Sequence, residues 1–466
     1  MNKFFVSVAG LLAAGYLGLS ALAWYHDTTY AEGAAARPAA SPEAARIRDI
    51  LDRNACYSCH STKAVLPPYA SLPGIKQIAQ FDTERGQRYF RLDTLYAALH
   101  DGAKPGEADL AKLERVAQND TMPPARFRAV HWGTGLSAGD RHTLLDWIAH
   151  ERKRWYATPG VAAAFENDAV QPLPHTLRAD PRKVALGMRL FHDPRLSADN
   201  TISCASCHAL GTGGVDNRKL SLGVGGQLGS VNAPTVFNAA LNHAQFWDGR
   251  AATLQEQAGG PPLNPVEMAS VSWEQIVGKL QADPALVETF AQIYPDGISG
   301  PAITDAIAEF EKTLLTPSRV DAYLRGDARA LNSDEAHGYQ LFKSMGCATC
   351  HVGANLGGQS FERMGRAGDW FAARGGALTE ADNGRANVTH DPHDVQAFKV
   401  PGLRNVALTA PYFHDGSVSD LREAVKQMAQ YQLGTAPSDA DVDALVAFLS
   451  ALSGTYTPSP ALAAQP

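Results

Sequence analysis

The chain has 466 residues and a net charge of −7, with 45% hydrophobic residues and 41 lysines and arginines spread along it. That length has room for about three domains. The absence of a basic block or of a basic patch interleaved with aromatics leaves no nucleic-acid partner to expect.

After Met1-Asn2-Lys3, an uncharged apolar run extends from Phe4 to Trp24. As a helix it would be about 31 Å long, against a hydrocarbon core of about 30 Å. Ala21-Leu22-Ala23 resembles the small-residue site of a cleaved signal peptide, but the run exceeds the usual signal core. Trp24-Tyr25 suit an interfacial aromatic belt, and Lys3 favours the cytoplasmic side. An uncleaved anchor at 1–30 is therefore expected in the inner membrane, with the rest of the chain in the periplasm. Ala- and Pro-rich text at 31–45 reads as a flexible stalk.

Helical periodicity begins there. Ile47, Ile50 and Leu51 share one face of a helix leading into Cys56-x-x-Cys59-His60. The motif recurs at Cys204/Cys207/His208 and Cys347/Cys350/His351, and the three copies use all six cysteines. This is the attachment signature of c-type haem, in which two thiols bind the porphyrin covalently and the histidine is the proximal ligand. Half a zinc site or a dithiol redox centre would need more Cys/His ligands or a thioredoxin-like context, and neither is present. Three covalent haems exhaust the thiols, so disulfide usage says nothing of compartment.

Further along, Ser137 caps a predicted helix with Leu144, Leu145 and Ile148 on one stripe, closing a first haem domain at 46–156. A Pro- and Ala-rich linker is expected at 157–180. Gly187-Met188-Arg189-Leu190-Phe191 and Gly338-Tyr339-Gln340-Leu341-Phe342 precede the second and third motifs, in helices capped by Asp180-Pro181 and by Ser333. This internal echo reads as a duplicated haem domain, at 181–328 and 329–456, with a tail at 457–466. The last helix, Asp439 to Leu452, carries Val442, Leu445, Val446, Leu449 and Leu452 on one stripe. No alternating strand pattern stands out. The expected fold is mainly α: three consecutive c-type cytochrome domains with long loops behind one transmembrane helix.

An iron with two strong protein ligands passes electrons, whereas an open distal position binds peroxide or oxygen. Methionines are the first candidates for distal ligands. Met122, in Thr-Met-Pro-Pro, and Met428 follow His60 and His351 at distances that let a small domain fold back, while Met188 and Met345 read as core. Met268 is as well spaced from His208 as Met122 is from His60, but its neighbour Glu267 could sit over the same iron and move protons. Spacing alone leaves this open, and twelve histidines outside the motifs remain possible ligands.

From about 180 to 456 the chain resembles the bacterial di-haem cytochrome c peroxidases, and as a whole it resembles their tri-haem, membrane-anchored quinol peroxidase branch. The resemblance rests on Asp-Pro-Arg-Leu-Ser (193–197), Thr-Ile-Ser-Cys-Ala-Ser-Cys-His (201–208), Ala-Pro-Thr-Val-Phe-Asn (233–238), Gln-Phe-Trp-Asp-Gly-Arg-Ala (245–251), Leu-Arg-Asn-Val-Ala (403–407) and Pro-Tyr-Phe-His (411–414). It implies a peroxidatic haem on His208, with Glu267 as general acid/base and Gln257 orienting hydrogen peroxide. It also implies an electron-transfer haem between His351 and Met428, a tryptophan bridge at Trp247, and a calcium ion at Asn232, Thr409 and Pro411. Met268 becomes a neighbour of the catalytic glutamate. One departure stands out: relatives that need reductive activation carry a histidine in the loop matching 221–225, where this chain has Val224. Valine cannot ligate iron, so an open peroxidatic site is expected in the oxidised state. The donor expected is quinol or a small cytochrome c, feeding the His60/Met122 haem. Two rivals are an enzyme oxidising some other substrate, against which Met428 weighs, and a tri-haem electron carrier without peroxide turnover.

Overall fold

The computed structural model describes residues 2–34, 38–64 and 66–458; three stalk residues, 35–37, and most of the tail lie outside that range. The chain is mainly helical, and among the described residues the only sheet is a two-stranded antiparallel ribbon pairing Phe361–Arg363 with Ala397–Lys399. It forms two compact units, Met1–Tyr156 and Ala157–Pro466.

In the first unit the N-terminal helix runs from Asn2 to Ala34, beyond the expected anchor and into the stalk. Its stretch Val8–Thr29 is long and apolar enough to cross a membrane, with Leu11, Leu12 and Leu22 exposed. The next helix, Pro42–Arg53, starts inside the same expected stalk, because the Ser41 side chain accepts from the Ala44 amide and Pro42 fits the first turn. Ile47, Ile50 and Leu51 are buried with Leu95, Leu110, Leu144, Trp147 and Ile148, so two separate apolar stripes close on one core. Ser137 caps Ala138–Trp155 through a capping box with Asp140; Leu145 lies at the edge of this core.

The second unit contains one helix crossing built twice. Pro181–Phe191, capped by Asp180, packs on Gly300–Glu311, and Ser333–Met345 packs on Asp439–Ala451. The cap of the third of these is Asn332 rather than Ser333: its side chain accepts from the Glu335 amide, and Ser333 is already helical. A Cβ added at Gly187 would lie 1.9 Å from the Ala306 carbonyl and 2.9 Å from the Phe310 Cβ. At Gly338 the same distances, 1.9 and 2.9 Å, fall on the Ala444 carbonyl and the Phe448 Cβ. Helix backbones thus touch through a glycine at equivalent places, which accounts physically for the sequence echo.

The stretch 157–180, expected as a linker, is instead packed into this unit. Val170 and Leu173 are buried, Gly353 N–H donates to the Ala169 carbonyl at 2.7 Å, and Leu173 N–H donates to Asp321 at 2.6 Å. Asp321 also takes a bidentate pair from Arg404, both contacts 2.8 Å, and both side chains are buried. Anchors this remote in sequence leave no local signal at 157–180.

Candidate active site and haem-binding cavity

Each motif sits at a short helical turn whose cysteines are half-buried and form no disulfide. Burial pushes the Cys56 and Cys204 thiols up to about 12, so they are poor thiolate nucleophiles or ligands and suit thioether attachment. Among the described residues, no group of three or more His, Cys, Asp or Glu is arranged to hold a bare metal ion.

The histidines are oriented by backbone oxygens. His60 Nδ1 lies 2.7 Å from the Phe90 carbonyl and His351 Nδ1 3.1 Å from that of Leu356. Donating Nδ1–H fixes the tautomer and turns a neutral Nε2 outward, the state an axial ligand needs. Burial lowers the pKa of all three motif histidines, that of His351 to about 4. His208 Nδ1 is buried and has no hydrogen-bond partner.

Around the third motif the walls form a cavity of about 260 Å³. Cys347, Cys350 and His351 line it together with Met428, which the π-helical turn Met428–Leu433 presents from the far side of the sequence. A thiol pair, a neutral imidazole and a thioether around one mostly apolar space fit a covalently held haem. Met345, expected as plain core, also faces this cavity. Met188 packs at the edge of a core and Met268 is 2% exposed within it.

Trp247, Asn232, Thr409 and Pro411 line the same cavity. Trp247 Nε1–H donates to the Asn232 carbonyl at 2.9 Å, which ties the expected bridge to the expected calcium group. Asn232 Nδ2 donates to the Arg218 carbonyl at 2.8 Å, leaving its Oδ1 as the acceptor a hard cation would take.

Glu267 and Gln257 come from consecutive segments. Gln257 is half-buried on Leu254–Leu263, and Glu267 follows in the turn after that helix. Asn264 Nδ2 donates to Glu267 Oε1 at 2.8 Å. Burial pushes the Glu267 carboxyl above the ordinary range, only partly offset by the Arg250 charge and this hydrogen bond. The loop at 221–228 lies directly on its backbone: Val224 N–H donates to the Glu267 carbonyl at 2.8 Å, and a Cβ at Gly223 would meet the Val266 and Glu267 oxygens at 2.2 and 2.4 Å. Glu267 is therefore a partly desolvated carboxyl with one oxygen fixed and the other unassigned.

A family model described as di-haem cytochrome c peroxidase matches residues 181–329, flanked by a haem-binding domain model at 15–150 and a cytochrome c model at 335–453. The cytochrome c peroxidase Ccp of Escherichia coli (strain K12) is 52% identical over 454 residues, which is 97% of each chain. The chain belongs to the di-haem cytochrome c peroxidase family. The cytochrome c551 peroxidase of Nitrosomonas europaea is 45% identical over 64% of this chain and 87% of its own. Among solved structures, a MauG-like protein associated with microbial copper homeostasis shares 28% identity and a TM-score of 0.55 over 63% of this chain and 97% of its own. This cytochrome c peroxidase is an oxidoreductase that binds haem c.

Within this peroxidase the first motif has its own surroundings. Met122 is half-buried in loop 120–124, just before Arg126, whose charge acts on the Cys59 thiol. Three features of the last cavity escaped the sequence reading. Lys399 lies buried on the second strand, its pKa lowered to about 8 by desolvation. Glu362 is buried on the first strand. His414, inside a quoted motif but given no role, donates or accepts at 2.8 Å with Asp382 and stacks on Phe398. The charged residues of a short ribbon carry no periodic signal.

Proposed function

We propose that this peroxidase is an anchored, periplasm-facing enzyme that reduces hydrogen peroxide to two waters with two electrons from quinol and two protons, through three covalently bound haems. The observation that carries the peroxidase reading is Glu267: a carboxyl whose pKa is raised by burial, held at one oxygen by Asn264, beside a loop with no ligating side chain at Val224. Haem, when bound, supplies redox iron, for peroxide reduction on His208 and for one-electron storage at His60/Met122 and His351/Met428.

The remaining chemistry belongs to side chains. Gln257 orients the peroxide by hydrogen bonding. Glu267 accepts the proton of the nearer peroxide oxygen on its unassigned Oε2 and returns it to the leaving oxygen, which departs as water. Asn264 keeps the carboxyl from rotating away. Trp247 provides an aromatic step between the second and third haem sites, and a calcium ion at Asn232, Thr409 and Pro411 would stiffen the strand of loops that carries it. The three haem-bearing modules, the inner-membrane anchor and the quinol donor are supported by the three motif-bearing family matches and by the apolar helix. A small cytochrome c as donor is the second reading, favoured by the name of the 45% relative.

The test is reoxidation of the fully reduced, haem-loaded protein by peroxide, followed by stopped-flow absorbance. Glu267→Gln is expected to be slower by about 10²–10⁴-fold, the range for loss of a general acid/base. A wild-type protein that stays reduced would support the electron-carrier alternative.

A further inference from the structure

The helix that carries the membrane span also contributes side chains to a hydrogen-bonded chain with the first haem unit. Tyr16, Ser20, Ala23 and Asp27 recur on one helical stripe, and Ser20 and Ala23 are fully buried. Asp27 Oδ2 lies 2.7 Å from His131 Nδ1, and His131 Nε2 lies 3.1 Å from the Tyr69 hydroxyl. Both His131 and Tyr69 are 8% exposed. Phe127 stacks flat on the imidazole, with ring centres 3.7 Å apart. Higher on the same stripe, Tyr16 donates to the Ala129 carbonyl at 2.6 Å and accepts from Trp132 Nε1 at 3.1 Å, and both aromatic rings remain about half exposed.

Two placements give this chain of groups a meaning. Tyr16 and Asp27 both fall within Val8–Thr29, so with that helix in the membrane, as proposed above, the loop 129–134 would lie at the height of the span, out of reach of a water-soluble protein donor. The loop is also tied to the first haem motif: Gly135 N–H donates at 2.6 Å to Asn54 Oδ1, two residues before Cys56, and Tyr69 lies in the loop after His60. An ionisable residue at membrane depth with a hydrogen-bonded partner points to function. A carboxylate that takes the Nδ1 proton of an imidazole makes Nε2 the base.

We infer that Tyr69, His131 and Asp27 form the site at which quinol is oxidised, with the quinol ring lying in the bilayer against Trp132 and Tyr16. This rests on the quinol reading above. Each quinol O–H bond breaks with its proton passing to Tyr69 Oη while the Tyr69 proton passes to His131 Nε2. The two electrons leave singly to the haem held by Cys56, Cys59 and His60, and the ring departs as quinone. The first proton leaves by way of Asp27 before the second follows the same route. The two electrons released match the two that peroxide consumes.

The full-length, haem-loaded protein in lipid nanodiscs is mixed with decylubiquinol, and reduction of its haems is followed by absorbance. In parallel, ascorbate with a small mediator drives peroxide turnover, and calorimetry measures binding of decylubiquinone to the oxidised protein. Tyr69→Phe and Asp27→Asn are expected to slow reduction by decylubiquinol at least tenfold while mediator-driven turnover stays within twofold, and His131→Ala is expected to weaken decylubiquinone binding as well. Wild type reduced by decylubiquinol, with Tyr69→Phe and Asp27→Asn both keeping more than a tenth of its rate, overturns the site but leaves the donor. Wild type reduced by a small cytochrome c and not by decylubiquinol overturns the donor reading itself. A mere clamp between helix and domain would lower mediator-driven turnover and quinol reduction together, and that result also overturns the site.

Discussion

Glu267 and Met268 are neighbours in sequence with opposite surroundings. Met268 is sealed in the core formed by the 181–191 and 300–311 helices, whereas Glu267 stays half-buried under the 221–228 loop. Spacing from His208 could not separate them; the turn after the 254–263 helix does, by sending one side chain inward and the other toward the loop. Because burial raises the Glu267 pKa, the acid limb of the peroxide rate is expected above the ordinary glutamate value of about 4.3, and a pH series of single-turnover reoxidation checks it. Val224 predicts the spin state: electron paramagnetic resonance of the oxidised protein should show no bis-histidine, low-spin signal from the His208 site. Met428 shares a cavity with His351, so Met428→His is expected to lower the reduction potential of that haem alone, within the roughly 0.8 V that axial ligands span. A redox titration decides it, and an unchanged potential would remove Met428 from the ligand set.

At the scale of elements, the duplicated crossing makes an equal demand at two places. Gly187→Ala and Gly338→Ala each push a methyl group into a facing carbonyl, and each should cost about 1–3 kcal/mol of stability by chemical denaturation. An effect at only one of them would show that the two crossings are not mechanically equivalent. The helix stripes and the caps at Ser41, Ser137 and Asp180 were legible, because capping and periodicity are encoded within a few residues. The Asn332 cap slipped by one position because Asn332 and Ser333 carry equivalent capping chemistry. The packing of 157–180 was not legible at all, since it depends on Asp321 and Arg404. Burial pushes the Asp321 pKa up, but the Arg404 charge and hydrogen bonds win and hold it below the usual carboxylate range. That pair therefore contributes stability above the unfolded-state pKa of about 4, and loses it as pH falls through the depressed folded value. Asp321→Asn leaves a buried guanidinium uncompensated and should cost about 3–5 kcal/mol at neutral pH, while flattening the acid end of the stability curve.

For the whole molecule, the three Cys-x-x-Cys-His motifs, the apolar N-terminal run and the helical stripes were determined by sequence alone, because covalent attachment, membrane partition and amphipathic burial depend on local composition. Tertiary structure decided what local composition cannot carry. It gathered the second and third motifs into one compact unit through 157–180, and brought Met428, Trp247 and Asn232 to the wall of the cavity that holds His351. It also joined Asp27 of the N-terminal helix to His131 and Tyr69, more than forty positions beyond it. The physical reason is the same each time. A covalent motif or a helix face is written in neighbouring residues, whereas a ligand set, a buried ion pair or a proton path needs groups whose proximity exists only after the chain has closed on its cores.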